Sequence, residues 1–342
     1  SPVFNQINLN KLSLSLNLSN PRAVEIAKKL VQVSDVVVEN MRPGTMERLG
    51  FGYEVLKAIR PDIIYLSSSA LGATGPLREY SGYASNFAAL SGLSYVTGYP
   101  DGEPSDIRGE VDLFSATTSA FAILAALNYR QSSGQGQFID VSSTEVNAIL
   151  CGDVFASLSP DGRKSARLGN RDEIWAPHNC YRCLGDDQWL SIAVTNQQEW
   201  KALVEAMGNP EWASEEKFST LIQRLENQNE LDRLIEAWTC QRTTYEAMYL
   251  LQRFGVAAFP SMDGKQLYED PHLQERGVWQ KMIHKAMGEQ VVIAPPWKLS
   301  ETPAKITNSA PLFGEHNHFV LQELLGLTPQ EIANMEKEKV VW

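Results

Sequence analysis

The sequence has few cysteines, no basic cluster and no signal-peptide pattern at its start. Four cysteines in 342 residues are too few for a disulfide framework, which favours a reducing compartment and predicts a cytoplasmic protein. No uninterrupted apolar run approaches the roughly 18 residues of a membrane span, so no membrane partner is expected. A net charge of −11 without grouped Lys and Arg also argues against a nucleic-acid partner.

Several common catalytic motifs are missing as well. The absence of GxGxxG, P-loop and GxSxG patterns removes the usual dinucleotide-binding, NTPase and α/β-hydrolase interpretations. "PHNCYRC" brings His178, Cys180 and Cys183 together, but no second CxxC or His pair completes a zinc site. We therefore predict an ordinary hairpin there and no metal.

What the sequence does contain is an alternation of strand-like and helix-like segments. Short apolar runs at 35–40, 61–69 and 136–143 predict buried parallel strands, and 11–18 alternates with the period of a strand. Helical patterns separate them, which predicts βαβ units and an α/β fold with a parallel sheet. From 168 onward a hairpin with "GDD" at its turn precedes mostly amphipathic helices, which predicts a second, α+β region.

In the stretch "RGEVDLFSATTSAFAILAALNYR" a single carboxylate, Asp112, directly heads the apolar run of a helix predicted over 113–130. One interpretation is a helix N-cap, which contributes about 1 kcal/mol. The other is a nucleophile or base, kept ionised by the helix dipole and presented at the edge of the sheet. A cap can also be a nucleophile, so both interpretations stay open.

"ENMRPGTMERLG" follows the strand at 35–40 and opens a helix at Thr45. Arg42 and Arg48 bracket that helix start. Free backbone N–H groups beside two guanidinium groups would form a phosphate site. A Pro-Gly turn with two solvated arginines explains the same residues.

The order of these motifs resembles the class III CoA-transferase family, of the formyl-CoA and carnitine CoA-transferase type. The matching stretches run along most of the chain and include "DVVVENMRPGTMERLGFGYEVL", "RPDIIYLSSSALGATGP", "YSGYASNFAALSGL", "VDLFSATTSAFAILAAL", "LGNRDEIWAPH", "DPHLQERG" and "APLFGEH". The resemblance implies interlocked dimers, each chain with a Rossmann-like large domain and a small domain. It implies that residues 1–150 form the first part of the large domain, followed by a linker at 151–167 and a small domain at 168–270. Residues 271–342 would form a second linker and the part of the chain that returns to the large domain.

The resemblance also implies roles for particular residues. The catalytic aspartate falls on Asp112, and the other family positions fall on Asn40, Met41, Arg42, Arg48 and Tyr83 for coenzyme A and on Gly169, Asn170 and Arg171 for a mobile loop over the site. Asp112 would form an acyl anhydride and then an aspartyl-CoA thioester, while N–H groups of the Gly169 loop stabilise oxyanions. Coenzyme A would be a substrate moiety, with no permanently bound cofactor. The partners would be an acyl-CoA, a carboxylic acid and a second subunit, giving a homodimer, heterodimer or heterotetramer.

"APHNCYRCLGDDQWLSIAV" resembles the succinyl-CoA:benzylsuccinate branch of the family, which implies aryl- or alkylsuccinate substrates and aromatic degradation. That branch pairs two different subunits. The family's first strand–helix unit would precede Ser1, and "LFSATT" and Ala84 depart from the family pattern, so a non-catalytic bracing subunit is an alternative. An α-methylacyl-CoA racemase is another, but "SGYASNFAALSG" lacks the His that would serve as its second base.

Overall fold

The computed structural model describes residues 1–156 and 166–342. The helices are α1 (Pro2–Ile7), α2 (Pro21–Val33), α3 (Thr45–Arg48), α4 (Tyr53–Ile59), α5 (Ala84–Leu90), α6 (Leu93–Val96), α7 (Gly109–Ser133), α8 (Ser143–Ile149), α9 (Gly152–Ala156), α10 (Gln197–Ala206), α11 (Leu221–Glu226), α12 (Gln228–Thr239), α13 (Thr244–Arg253), α14 (Gly264–Glu269), α15 (Pro271–Glu275) and α16 (Pro329–Lys337). The strands are β1 (Val36–Glu39), β2 (Ile64–Ser69), β3 (Phe138–Ser142), β4 (His178–Arg182), β5 (Trp189–Ala193), β6 (Ala257–Pro260), β7 (Trp279–His284) and β8 (Gly288–Ile293). Short 3₁₀ helices occupy Glu211–Ser214 and Glu216–Phe218, and a π-helix occupies Phe319–Leu324.

The described residues divide into two compact units. The first contains residues 1–94, 106–156 and 268–342, and the second contains 95–105 and 166–267. The domain bounds expected from the sequence put 95–105 in the large domain, and the structure differs there. The physical reason is Arg167, whose guanidinium donates hydrogen bonds to three carbonyl oxygens of 95–105, at 2.8–3.2 Å. The predicted linker at 151–167 lies partly outside the described residues.

The first unit is built on a parallel sheet with the order β1-β2-β3. Val38 pairs with Leu66, and Leu66 pairs in turn with Ile139. Apart from Ser68, each residue of β2 is buried, which explains why its sequence is a continuous run rather than an alternation. The predicted α/β fold with a parallel sheet is therefore confirmed. The antiparallel hairpin of β7 and β8 completes the strands of this unit.

The strand predicted at 11–18 is wrong. The segment lacks regular strand pairing because its backbone bonds to loop and side-chain atoms near the C-terminus. The Ser13 N–H donates to His316 Nδ1 at 3.1 Å, the Ser15 N–H to Asn317 Oδ1 at 2.9 Å, and the Asn17 N–H to the Val340 carbonyl at 2.9 Å. The alternation therefore marks a half-buried extended segment that joins the two ends of the chain.

Helix α7 begins earlier than predicted, so the N-cap interpretation of Asp112 is also wrong. Arg108 is the N-cap residue, and Asp112 lies inside the first turn with Glu110. Two acidic side chains in this turn complement the positive end of the helix dipole. By length and composition alone, α7 is apolar enough to cross a membrane, although a long helix of a soluble protein passes the same test.

The second unit packs helices against an antiparallel sheet with the order β4-β5-β6. Its β4–β5 hairpin turns through "GDD", as predicted, with Gly185 and Asp187 at positive φ. The core contains the apolar faces of β5, α10, α12 and α13. One charged side chain, Arg224, is fully buried within this unit and lies over the Trp200 ring, 4.8 Å from its centroid.

Candidate active site

A cavity of about 960 Å³ opens in the first unit where β1 and β2 end and α7 begins. Five of the residues predicted for the site line it: Asn40, Met41, Arg42, Tyr83 and Asp112. Asn40 to Arg42 follow β1 directly, and the carboxyl ends of neighbouring parallel strands meet at one edge of a sheet, where α/β folds bind ligands. The structure therefore brings the predicted aspartate and most of the predicted coenzyme A segment into one place.

Asp112 projects from the first turn of α7 into this cavity. Within residues 1–156 and 166–342 its carboxylate has no hydrogen-bond or ion-pair partner. Desolvation by its surroundings raises the pKa of the Asp112 carboxyl, although part of the side chain stays accessible. The helix dipole favours the ionised form, so the two effects oppose each other. An accessible carboxylate without a partner is free to attack an electrophile or to take a proton.

Three cationic side chains share the cavity with two carboxylates. Lys11, Arg42 and Arg78 line it, against Glu39 and Asp112. Lys11 and Arg78 were not predicted from the sequence. An excess of positive side chains makes the cavity suited to an anionic ligand in a protein whose net charge is −11.

Arg42 is held in place by its neighbours. Its guanidinium donates a hydrogen bond to Ser81 Oγ, and the preceding Met41 N–H donates to Glu39 Oε2 at 2.7 Å. These contacts fix the turn after β1 and leave other guanidinium N–H groups available, since arginine has five donors. Arg42 can therefore bind a phosphate or carboxylate without losing its support.

Arg48 does not join the cavity lining. Its guanidinium donates to Thr45 Oγ1 at 3.0 Å, within its own helix. The Thr45 N–H donates to the Arg42 carbonyl at 3.1 Å, and α3 has only four residues. The role of Arg48 in a phosphate site at this helix start stays a prediction.

The predicted loop residues lie in the second unit. Gly169 has a φ of +63°, and a Cβ there would stand 2.7 Å from the Tyr99 ring, so glycine is required. Asn170 donates to the Tyr99 hydroxyl at 2.9 Å, and Arg171 pairs with Asp232 at 2.6 Å. The Gly169 N–H donates to the Gly98 carbonyl at 2.8 Å, so it is not free for an oxyanion. The role of this loop over the active site stays a prediction.

Residues that the sequence reasoning missed could have been found from two signals. Ser69 is the last residue of β2, at the sheet edge where ligands bind, and Arg78 follows it in the same loop. Ser119 stands seven residues after Asp112, which is two helical turns along the same face. No group of three or more His, Cys, Asp or Glu side chains suited to a metal occurs among the described residues.

Comparison with known proteins identifies the family. CoA-transferase family III matches residues 1–317. The chain is 34% identical to a succinyl-CoA–D-citramalate CoA-transferase of Chloroflexus aurantiacus, covering 97% of this chain and 83% of that protein. It is 33% identical to the alpha subunit of a succinyl-CoA–L-malate CoA-transferase of Chloroflexus aurantiacus, covering 97% and 78%.

A crystal structure of a CAIB/BAIF family protein from Brucella suis has the same fold. The TM-score is 0.84 at 29% identity, covering 94% of this chain and 83% of that one. The family resemblance predicted from the sequence is thus confirmed by both the sequence and the structural comparison. The chain belongs to CoA-transferase family III and is a class III CoA-transferase.

Proposed function

We propose that this chain moves coenzyme A from succinyl-CoA to a carboxylic acid, with Asp112 as the nucleophile. The observation that carries the proposal is the position of Asp112, whose accessible, unpartnered carboxylate lines a cavity with three cationic side chains. The relatives reported above are named for succinyl-CoA as donor. Desolvation raises the pKa of the Asp112 carboxyl, and a more basic carboxylate is a stronger nucleophile.

In the proposed reaction, an Asp112 oxygen attacks the thioester carbonyl carbon. The C–S bond breaks, coenzyme A leaves as the thiolate, and an acyl–aspartyl anhydride remains. The thiolate then attacks the aspartyl carbonyl carbon, which releases the donor acid and gives an aspartyl-CoA thioester. The acceptor carboxylate repeats the two steps in reverse, so that a new acyl-CoA leaves and the Asp112 carboxylate is restored. Each step exchanges one acyl bond for another, so no redox cofactor is needed.

Coenzyme A is bound in this proposal as a substrate moiety. Arg42 and the neighbouring cations Lys11 and Arg78 hold its phosphates, because guanidinium and ammonium groups are the usual phosphate partners in proteins. Asn40, Met41 and Tyr83 form the wall beside them. No permanently bound cofactor takes part.

The acceptor in this proposal is a carboxylic acid. The sequence pattern and the named relatives point to two different acids. The hairpin segment of the second unit suggested an aryl- or alkylsuccinate and a role in aromatic degradation. The relatives are named for D-citramalate and L-malate, which are small hydroxy diacids. We propose a dicarboxylic acceptor, a class that includes both possibilities.

The proposed assembly is an interlocked dimer with a second copy or with a homologous subunit. One relative is an alpha subunit, which supports an assembly of related chains. Helix α7 exposes large apolar side chains, among them Phe121 at 74% and Leu124 at 65%, and a partner would cover them. All four cysteines are free, in keeping with the proposed cytoplasmic location.

Intact-mass spectrometry after incubation with succinyl-CoA tests the nucleophile. Hydroxylamine or borohydride would trap the aspartyl intermediate, and peptide mapping would place the modification. We expect it on Asp112, lost in Asp112→Asn and kept in Glu110→Gln, which alters the other carboxylate of the same helical turn. An adduct only on a co-purifying homologue would instead make this chain a bracing subunit.

A further inference from the structure

Two serine hydroxyls in the cavity wall have no partner. Ser69, at the end of β2, is 7% exposed, and Ser119, on α7, is 8% exposed. Both line the cavity that contains Asp112, and within the described residues neither hydroxyl oxygen makes a hydrogen bond. Buried polar groups are nearly always hydrogen-bonded, so two exceptions in one wall require an explanation.

The helix face below Asp112 carries only small side chains, of which the two serines are buried. Ser115, Ala116 and Ser119 follow at spacings of three, four and seven residues, so they share its face of α7. Ser119 therefore lies about 10 Å along the helix axis from the nucleophile. The side chains in between are small, which leaves room for a substrate chain beside the helix.

Ser115 and Ser119 differ in what their hydroxyls do. Ser115 Oγ donates to the Val111 carbonyl one turn earlier, at 3.0 Å, which is the usual way for a helical serine to satisfy itself. Ser119 makes no such bond, although the same geometry is available to it. A rotation about χ1 between staggered positions is enough to turn either unpartnered hydroxyl toward the cavity.

Resting on the function proposed above, we propose that Ser69 and Ser119 form the polar end of the acyl-group subsite. They donate hydrogen bonds to a second oxygen-bearing group of a short substrate acid, a distal carboxylate or hydroxyl. The subsite thereby selects short dicarboxylic and hydroxy acids over acids that carry a hydrocarbon or aromatic group in place of the second oxygen-bearing group. A hydrocarbon group would leave both hydroxyls unpaired in the complex, and unpaired buried donors are what make such sites discriminate.

If these serines had a purely structural role, the expected effect on substrate specificity would be different. If they only fill space, replacing each by alanine removes an unsatisfied group and changes all substrates equally. If they bind the substrate, the same change stabilises the empty protein and weakens only oxygen-bearing substrates. The alanine change removes an unsatisfied hydroxyl from the empty protein in either case, so only the effect on different substrates separates the two roles.

The experiment measures kcat/KM for four acceptors, with succinyl-CoA as donor, in the wild-type protein and in Ser69→Ala, Ser119→Ala and the double variant. Citramalate and malate carry the second oxygen-bearing group, and butyrate and 3-phenylpropionate carry a hydrocarbon or aromatic group in its place. We expect kcat/KM for citramalate and malate to fall about tenfold to a hundredfold, and that for butyrate and 3-phenylpropionate to stay within about twofold. Thr117→Val is the matched control, since Thr117 bonds to the Leu113 carbonyl on the same helix and does not line the cavity.

Equal losses for all acceptors, or a wild-type preference for 3-phenylpropionate or butyrate, would overturn the subsite. A protein that transfers coenzyme A to no acceptor would count against the proposed function instead. In that case calorimetric titration still decides the matter, with succinyl-CoA and butyryl-CoA as the ligands. Tighter binding of succinyl-CoA that Ser119→Ala abolishes supports the subsite, and equal affinities refute it.

Discussion

The carboxylate of Asp232 accepts four hydrogen bonds, two of them from the loop residue Arg171. Asp232 accepts two hydrogen bonds from Arg171, from Nε at 3.0 Å and from Nη2 at 2.6 Å. It also accepts one from Asn179 Nδ2 at 3.0 Å and one from the Tyr181 hydroxyl at 2.8 Å. Burial raises the pKa of the Tyr181 hydroxyl well above its usual value, so it stays protonated and donates. The change Asp232→Ala removes all four bonds at once, and we expect it to destabilise the second unit.

The expected cost follows from the burial of each partner. Tyr181 is only 1% exposed, and a buried hydroxyl without a partner costs about 1–3 kcal/mol. The Arg171 side chain is about one-third exposed, so solvent screening limits the loss of its ion pair to about 1 kcal/mol. Together these give a loss of about 2–4 kcal/mol in the free energy of unfolding, and about 1 kcal/mol for Arg171→Ala alone.

Urea denaturation of the two single variants, the double variant and the wild type measures these values as a cycle. We expect a coupling energy between Arg171 and Asp232 of about 1 kcal/mol, because the two side chains are in direct contact. Asp186→Ala, at the exposed hairpin turn, should change stability by less than about 0.5 kcal/mol. A cost for Asp232→Ala no larger than that of Asp186→Ala, or additive single changes, would refute the reasoning.

Two further predictions concern stability. Because folding raises the pKa of Asp112 above 3.8, its ionisation costs stability as pH rises through the folded-state pKa. Asp112→Asn should therefore raise the melting temperature at neutral pH, with the difference disappearing below about pH 3.8, and a lower value at neutral pH would contradict this. Arg224→Met removes donors from the carbonyls of Ala176 and Phe218, at 2.9 and 3.1 Å, and should cost about 2–4 kcal/mol by calorimetry. The control is Arg233→Met on the exposed face of α12, and equal effects of the two changes would count against a role for the buried guanidinium.

The success of the sequence prediction depended on whether a pattern is local. The run at β2 is buried against helices close in sequence, and its composition was enough to predict a strand of a parallel sheet. The run at β1 was also predicted to be buried, but it is only partly so, and its Val38 is 58% exposed. The alternation at 11–18 was equally clear, but its partners lie about 300 residues away and include the side chain of Asn317. Periodicity reports burial, and it carries no information about which atoms satisfy the backbone.

The candidate site was predictable where its residues lie next to the end of a strand or helix, and not where a loop path or a side-chain contact places them. Arg42 and Asp112 come together because each lies beside the end of an element at the same sheet edge. Arg78 depends on the path of the loop after β2, where the Ala73 N–H donates to the Asp140 carboxylate at 2.9 Å. Arg48 lies outside the cavity lining, and its guanidinium bonds within its own helix. Neither choice is visible in residue spacing.

The electrostatic arrangement around Asp112 is compatible with one cavity that holds both the proposed nucleophile and an anionic substrate. An ion pair with Arg42 would lower the pKa of the carboxylate and make it a weaker nucleophile. Arg42 is instead bonded to Ser81, and Asp112 is left unpaired within the described residues. The unpaired carboxylate is less stable than a paired one, and under the proposed function that loss of stability would keep it reactive. Arg42 and Arg78 each have a partner, Ser81 and Glu79, but their other N–H groups can still bind the anionic part of the proposed substrate.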